Sequence, residues 1–283
     1  MRRVRILLLS VLLSCAAVFL ILPNQSLTQV RQSTYLGFDL NDYPGDAALP
    51  ILRKTFRFSA YWLNAPPGGK ESNWLGTRYK LQAQGFGFML LFNGRLTRNL
   101  RSVPGAVRKG AGDAADAAVL ASHEGFAPGT IIFLDIEEGG RLTQAYHQYV
   151  NAWIDGLAKA KFRAGVYCSS IPVNEGDGNT ITTAADLQNN LGGRKLVFWV
   201  ANDTCPPSPG CVFPKNPPPI AQGGFPDAVV WQFAQSPRRK QFTATCAATY
   251  NADGNCYAPG DTHHGWWLDL DAATSPNPSS ATQ

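Results

Sequence analysis

A single α/β domain built as a (β/α)8 barrel is the fold the sequence predicts, on three observations. Short apolar runs rich in Val, Ile, Leu, Phe and Tyr recur along the chain, and amphipathic or turn-rich segments separate them, the pattern of a parallel sheet with crossovers. No period of a few tens of residues repeats, which argues against a solenoid or propeller. The 283 residues are enough for one barrel-sized domain.

The chain opens on MRRVRILLLSVLLSCAAVFLIL, a basic start followed by an apolar stretch from Ile6 to Leu22. That is the pattern of an export signal. Its apolar length lies between that of a cleaved signal peptide and that of a membrane span, so residues 1–30 are expected as a signal peptide or a signal anchor, with cleavage preferred. Leu12 to Cys15 loosely resembles a lipoprotein signal, but apolar residues continue past Cys15. The expected location is therefore exported, periplasmic or extracellular, with membrane contact only through an uncleaved leader.

Residues 31–273 are expected to form the barrel. Its eight strands are read as Tyr35 to Asp39, Phe56 to Tyr61, Gly87 to Phe92, Ile131 to Ile136, Ala164 to Tyr167, Leu196 to Ala201, Ala228 to Phe233 and Gly265 to Leu270. Helical segments are expected over Ser72 to Gln84, Ala111 to Glu124, Thr143 to Lys161 and Ala184 to Leu191. The third is the clearest: Tyr146, Tyr149, Val150, Trp153, Ile154 and Leu157 recur at spacings of three and four, one apolar stripe. Asp203 to Phe225 is dominated by Pro and Gly and reads as a long loop. Residues 274–283 read as a polar, disordered tail.

The formal charge of +5 includes Arg2, Arg3 and Arg5 of the leader, so the remaining domain is close to neutral. Nucleic acid is excluded as a partner, because such a binder needs a basic stripe to replace counterions. Arg238, Arg239 and Lys240 form the one basic run after the leader and read as a solvated loop. Beyond Cys15, Cys205 with Cys211 and Cys246 with Cys256 each close a short turn-rich segment, so two local disulfides are expected. Their spacing lacks the short knuckles of a zinc site. Cys168 ends an apolar run and reads as a buried small hydrophobe. No metal site or cofactor is expected, and His263 and His264 read as surface residues.

In a barrel of this kind the reactive groups sit at the C-terminal ends of the strands. Asp39, Tyr61 with Trp62, Asn93, Asp135 with Glu137, Tyr167, Asn202, Gln232 and Asp269 end the successive apolar runs. The sharpest signal is IIFLDIEEGG. There Asp135 and Glu137 stand two apart, so a strand period of two puts both on one face, about 6 to 7 Å apart at Cα. Two carboxylates that close cannot ionise independently, and one holds its proton to higher pH, as a general acid must. Glu138 falls on the other face. Asp39 and Asp269 end the first and last strands, which are neighbours in a closed barrel, so the mouth is expected to gather four carboxyl groups.

The ordered set GFDL, FLDIEEG, GVYCSS, FWVAN, VVWQFAQ and WWLDLD resembles a bacterial glycoside-hydrolase-like barrel family, itself similar to the lysozyme family-25 muramidases. The resemblance spans nearly all of Ser33 to Ala273. It implies a glycoside-hydrolase-like barrel that cleaves β-linked N-acetyl sugars by a retaining or substrate-assisted route. Glu137 would be the acid and Asp135 the group that orients the 2-acetamido substituent or the oxocarbenium-like centre, with Asp39 and Asp269 completing the catalytic set. Tyr61, Trp62, Asn93, Tyr167, Asn202 and Gln232 would contact a glycan, peptidoglycan or a related amino-sugar polymer. The sequence departs from the muramidase pattern after Asp39, where Leu40, Asn41, Asp42 and Tyr43 follow, and in its cysteine-bearing loops. A barrel that binds cell-wall glycan without turnover is the alternative from another class. The tryptophans near the mouth, Trp62, Trp199, Trp231, Trp266 and Trp267, fit either reading.

Overall fold

The computed structural model describes residues 33–206, 208–213 and 217–280. The expected leader, residues 1–30, lies outside them. No helix among the described residues is long and apolar enough to cross a membrane.

Eight strands close into a barrel, with a separate hairpin outside it. In chain order the strands are β1 (Tyr35–Asp39), β2 (Phe58–Trp62), β3 (Gly87–Asn93), β4 (Ile131–Asp135), β5 (Arg163–Ser169), β6 (Val173–Gly176), β7 (Asn179–Ile181), β8 (Val197–Ala201), β9 (Ala228–Ala234) and β10 (Asp269–Ala273). Around the barrel the order is β1-β10-β9-β8-β5-β4-β3-β2, while β6 and β7 pair only with each other. The strands are near-continuous apolar runs because a barrel strand is covered on both faces.

The expected barrel is thus observed, with one difference of direction. β10 pairs antiparallel with both β1 and β9, whereas the other barrel pairs are parallel. The run from Gly265 to Leu270 is not itself the strand. Residues up to Leu268 approach across the mouth, and the strand starts at Asp269 and descends. An antiparallel closing strand needs no crossover helix, and the β9–β10 connection holds only short helical turns around α6 (Thr243–Cys246).

Helices pack outside the barrel: α1 (Leu49–Leu52), α2 (Arg78–Ala83), α3 (Val103–His123), α4 (Gln144–Lys159) and α5 (Thr183–Asn189). Three start on side-chain caps, Ser102 accepting from the Gly105 amide, Thr143 from the Tyr146 amide and Thr182 from the Ala185 amide. α3 begins eight residues before its expected start at Ala111, because Ser102 and Pro104 form a strong N-terminal signal that the glycines after it mask. One of those glycines is needed: a Cβ on Gly110 would stand 2.2 Å from the Tyr149 carbonyl oxygen of α4. The two helices meet backbone to backbone there.

Of the expected disordered tail, residues 274–280 are described, and they pack on the barrel. Asn277 Oδ1 accepts from the Phe88 amide, Ser279 Oγ accepts from the Leu90 amide, and the Ser279 carbonyl accepts from the Ile131 amide. The segment plugs the end of the barrel opposite the mouth, where β3 and β4 begin with unpaired backbone groups that must be satisfied. Polarity marked it as a tail, but polar side chains are what that end of the barrel requires.

The disulfide pattern also differs from expectation. Cys211 is bonded to Cys256 across 45 residues. Cys205 and Cys246 are neighbouring buried thiols, and both donate to the Asp203 carbonyl oxygen, at 3.7 and 3.9 Å. Neither local pair forms. β8, β9 and β10 are consecutive in the barrel, so their connecting loops lie side by side, and proximity in space overrides proximity in sequence. Cys168 is buried as expected, and burial pushes its thiol far up.

Candidate active site

At the mouth, a cleft of about 620 Å³ is lined by Asp39, Asp135, Glu137 and Asp269, so the four expected carboxyl groups share one opening. Strand register explains the gathering. Asp39 is paired with Asp269 across β1 and β10, and Asp135 is flanked by Asn93 and Tyr167. Because β10 runs downward, Asp269 is its first residue rather than its last, and it reaches the mouth all the same.

The carboxyl groups stand in different surroundings. Asp135 is 3% exposed and neither oxygen has a well-formed hydrogen bond among the described residues. Burial, then the charge of Glu137, hold its proton on well above the usual carboxylate range. Glu137, past the end of β4, is exposed in the cleft. Asp39 is pushed up to about 6, by burial first, with the Gln232 and Asp271 side chains working against that rise. Asp269 is raised by burial and by Asp39, although the Ser236 amide donates to its Oδ1 at 2.5 Å.

A chain of hydrogen bonds fixes one wall. Gln232 Nε2 donates to Asp39 Oδ2 at 2.9 Å and to Asp269 Oδ2 at 3.4 Å. Its Oε1 accepts from the Tyr167 hydroxyl at 2.7 Å and from Gln235 Nε2 at 2.7 Å. Arg239 Nε donates to Gln235 Oε1 and pairs with the buried Asp203 at 3.0 Å. This corrects the reading of the 238–240 triplet as solvated: Arg239 and Lys240 line the cleft. The Arg238 guanidinium lies over the Tyr250 ring.

The expected glycan contacts divide. Trp62, Tyr167 and Gln232 line the cleft, as does Trp199. Tyr61 does not: the alternation that turns Trp62 inward turns Tyr61 outward, onto Trp74, Phe88 and Phe126 with its hydroxyl on Glu124. Asn93 holds the β2 loop through Ala65 and Asn64, and Asn202 holds Gly223. Neither lines the cleft. Trp231 is on the outer face, its indole N–H on the Asn202 carbonyl. Glu138 turns away, as expected, and accepts from the Thr97 amide.

A second lobe of about 520 Å³ adjoins the first, sharing Asp39, Asn41, Ser236 and Asp269, and is walled by Trp266 and Trp267. Trp267 is 56% exposed. His263 and His264 are exposed as expected, and His264 stacks on Tyr257. No group of His, Cys, Asp and Glu among the described residues is arranged to hold a metal ion.

Residues 75–211 match the model of the Rv2525c-like, glycoside hydrolase-like domain family, a stretch that runs from before β3 to past β8 and contains Asp135 and Glu137. The family resemblance carried by the motifs is borne out. No curated protein matches the chain. Among solved structures, an uncharacterized B. stearothermophilus protein is 18% identical with a TM-score of 0.54, covering 84% of this chain and 95% of that one. The Mycobacterium tuberculosis Tat-secreted protein Rv2525c is 16% identical at a TM-score of 0.49, with 89% and 100% covered. The Clostridium perfringens spore cortex lytic enzyme SleM is 17% identical at 0.49, with 86% and 68% covered. The first of these likenesses shows the fold.

Proposed function

We propose that this glycoside-hydrolase-like domain belongs to an exported hydrolase of an amino-sugar glycan, peptidoglycan or a related polymer, with Glu137 as general acid and Asp135 as its partner. One observation carries the reading: a buried carboxyl with no well-formed hydrogen bond and an exposed one, two residues apart and close enough to interact, open into a cleft that also holds Asp39 and Asp269. The family match over this stretch supports it.

The roles follow from the surroundings. Glu137 is the member that a glycosidic oxygen can reach. Asp135 holds a proton beside it, against the charge of Glu137. As the glycosidic C–O bond breaks, that proton passes to Glu137 and Glu137 protonates the leaving oxygen. Asp135, left anionic, faces the 2-acetamido group or the positive charge growing at the anomeric carbon, and water adds to that carbon, giving up a proton that restores the pair. Tyr167 and Gln232 hold Asp39 and Asp269 in place. Trp62, Trp199 and the exposed Trp267 offer faces for sugar rings.

The test is release of reducing ends from purified cell-wall sacculi. Glu137→Gln is expected to lower turnover by about 10²- to 10⁴-fold with folding and glycan affinity kept, since Gln has the shape but no proton to give. Glu138→Gln, turned toward Thr97, is expected to stay near wild type. Equal activity of wild type and Glu137→Gln removes Glu137 from the acid role. Glycan binding by the wild type without turnover, across wall polymers and pH, identifies the binding barrel instead.

A further inference from the structure

β10 carries a second carboxyl two residues below Asp269. Asp271 is on the same face of the strand and has no exposed surface. It is paired with Gly37 of β1 and Gln232 of β9. The space that a side chain on Gly37 would occupy is taken by the Phe58 ring, so the floor beside Asp271 is apolar. Asp271 faces the Asp39 carboxyl and the Trp199 indole. Both of its oxygens, and Trp199 Nε1, are without a well-formed hydrogen bond among the described residues.

A carboxylate in that position would be expensive. Its charge would be out of water, over an aromatic floor, next to a second carboxyl, with no cation against it. Neutral carboxylic acid is the form the site tolerates, and a neutral acid has one proton to donate. Two groups face it, Asp39 and the Trp199 N–H, and of these Asp39 is the acceptor, since the indole can only donate.

We propose that Asp271 is a positioning residue that stays protonated and donates to Asp39 from below, so that Asp39, held also by Gln232, is the carboxyl of the buried cluster that ionises first. Asp39 is surrounded by Gln232 of β9, Asp135 of β4 with Glu137 beyond it, Tyr167 of β5, and Asp269 and Asp271 of β10. The titratable groups among these can only discourage its charge if they are ionised. A neutral Asp271 converts one of them into a donor. The inference concerns the free protein, and it holds whether the cleft turns a glycan over or only binds one.

The two states of Asp271 predict opposite signs, which makes the inference testable without substrate. Carbon-13 NMR of aspartate-labelled protein reads each carboxyl during a pH titration. The Asp271 resonance is expected to keep its protonated shift until Asp39 has titrated, with Asp39 titrating near pH 6. Asp271→Leu removes a donor, and the Asp39 midpoint is expected to rise by about one to two pH units. Asp271→Asn keeps a donor in place and is expected to leave the midpoint within about half a unit. If Asp271 were instead ionised, both variants would remove a negative charge and the Asp39 midpoint would fall. That result overturns the proposal, as does an Asp271 resonance that titrates before that of Asp39 or a midpoint unmoved by Leu. Should Asp271→Leu fail to fold, the Asp271 resonance and the sign in Asp271→Asn still decide. Sacculus turnover is a separate measurement, so an inactive protein with these titrations refutes the hydrolase reading and leaves this one standing.

Discussion

The barrel has two halves of different construction. From β1 to β5 the strands are parallel and the α3 and α4 helices cover them, α4 with a single apolar stripe of Tyr146, Tyr149, Val150, Trp153, Ile154 and Leu157. From β8 to β10 the connections are loops, the last strand runs backward, and two cysteine pairs bring the loops together. The first half is held by helix burial and supplies Asp135 and Glu137. The second is held by covalent and polar links and supplies the Gln232, Gln235 and Arg239 wall. A helix covers a barrel strand with apolar area at the expense of reach. A loop reaches over the mouth but must be tied down.

Removing the tie is the largest test of that contrast. The Cys211–Cys256 bridge closes 45 residues, so in the chain-entropy account its loss costs about 4 kcal/mol. Cys256→Ser is expected to lower the thermal midpoint by several degrees. Hydrogen exchange is expected to rise in the 203–260 loops while α3 and α4 stay protected. Uniform loss of protection across both halves would show that the loops and the helical half unfold as one unit. Peptide mapping under non-reducing conditions is expected to recover Cys211 with Cys256 and neither local pair.

The halves also differed in legibility, for a physical reason. Strands of the first half announce themselves as short apolar runs and α4 by its 3.6-residue stripe, and β1 and β4 start where the pattern says. The cleft carboxyls were readable because a residue at a strand end needs only the strand to be placed. Tyr61 and Asn202 fall outside the cleft because the end of a strand does not say which face the side chain takes, and Asn93, level with Asp135, does so because its side chain is tied to the Ala65 carbonyl. Tyr61 and Trp62 are adjacent and point opposite ways. Asp271 was missed although Asp269, Leu270 and Asp271 repeat the two-residue spacing of Asp135 and Glu137. In a parallel strand it would lie past the end, and only the reversed direction buries it. Arg239 and the cysteine pairing have no local signal, since both depend on which loops meet at the mouth.

Acid titration sorts the carboxyl groups by burial rather than by half. Asp39 is pushed from its ordinary 3.8 to about 6. The folded state therefore binds its proton more tightly than the unfolded chain does, and this group's contribution is most favourable below pH 4 and is lost as pH rises through 6. The size is up to about 3 kcal/mol. Asp135, Asp269 and Asp271 are raised too and act in the same direction. The exposed Asp46 and Glu175 go the other way. They are held low by hydrogen bonds from Lys80 and Arg141, so their stabilisation appears above the ordinary carboxylate pKa and is lost on acidification. Urea unfolding is expected to show that Asp39→Asn flattens the fall in stability between pH 4 and 7. An unchanged slope would show that Asp39 is not a titrating member of the cluster.

The smallest expected effect tests the helical half alone. Gly110 sits where α3 crosses α4, and a methyl group there would stand 2.2 Å from the Tyr149 carbonyl oxygen and 3.0 Å from the Ala152 Cβ. Two opposing terms meet in Gly110→Ala. Alanine is the better helix former by about 1 kcal/mol, which favours the variant. The obstacle is backbone rather than a flexible side chain, so α4 must move, and overpacking of this kind costs about 1 to 3 kcal/mol. The net expectation is a loss of about 1 kcal/mol, read as a lower urea midpoint with an unchanged slope. Tyr149 carries the change further, because its hydroxyl donates to Asp113, which Arg95 also holds, and the Tyr146 hydroxyl beside it donates to the Arg95 carbonyl. That cluster does not include the groups that act on Asp39, which are Gln232, Asp271 and Glu137, so the Asp39 titration is expected to stay in place in Gly110→Ala. A stabilised variant would mean that α4 yields without cost, and a shifted Asp39 midpoint would mean that the helix layer sets the cleft after all.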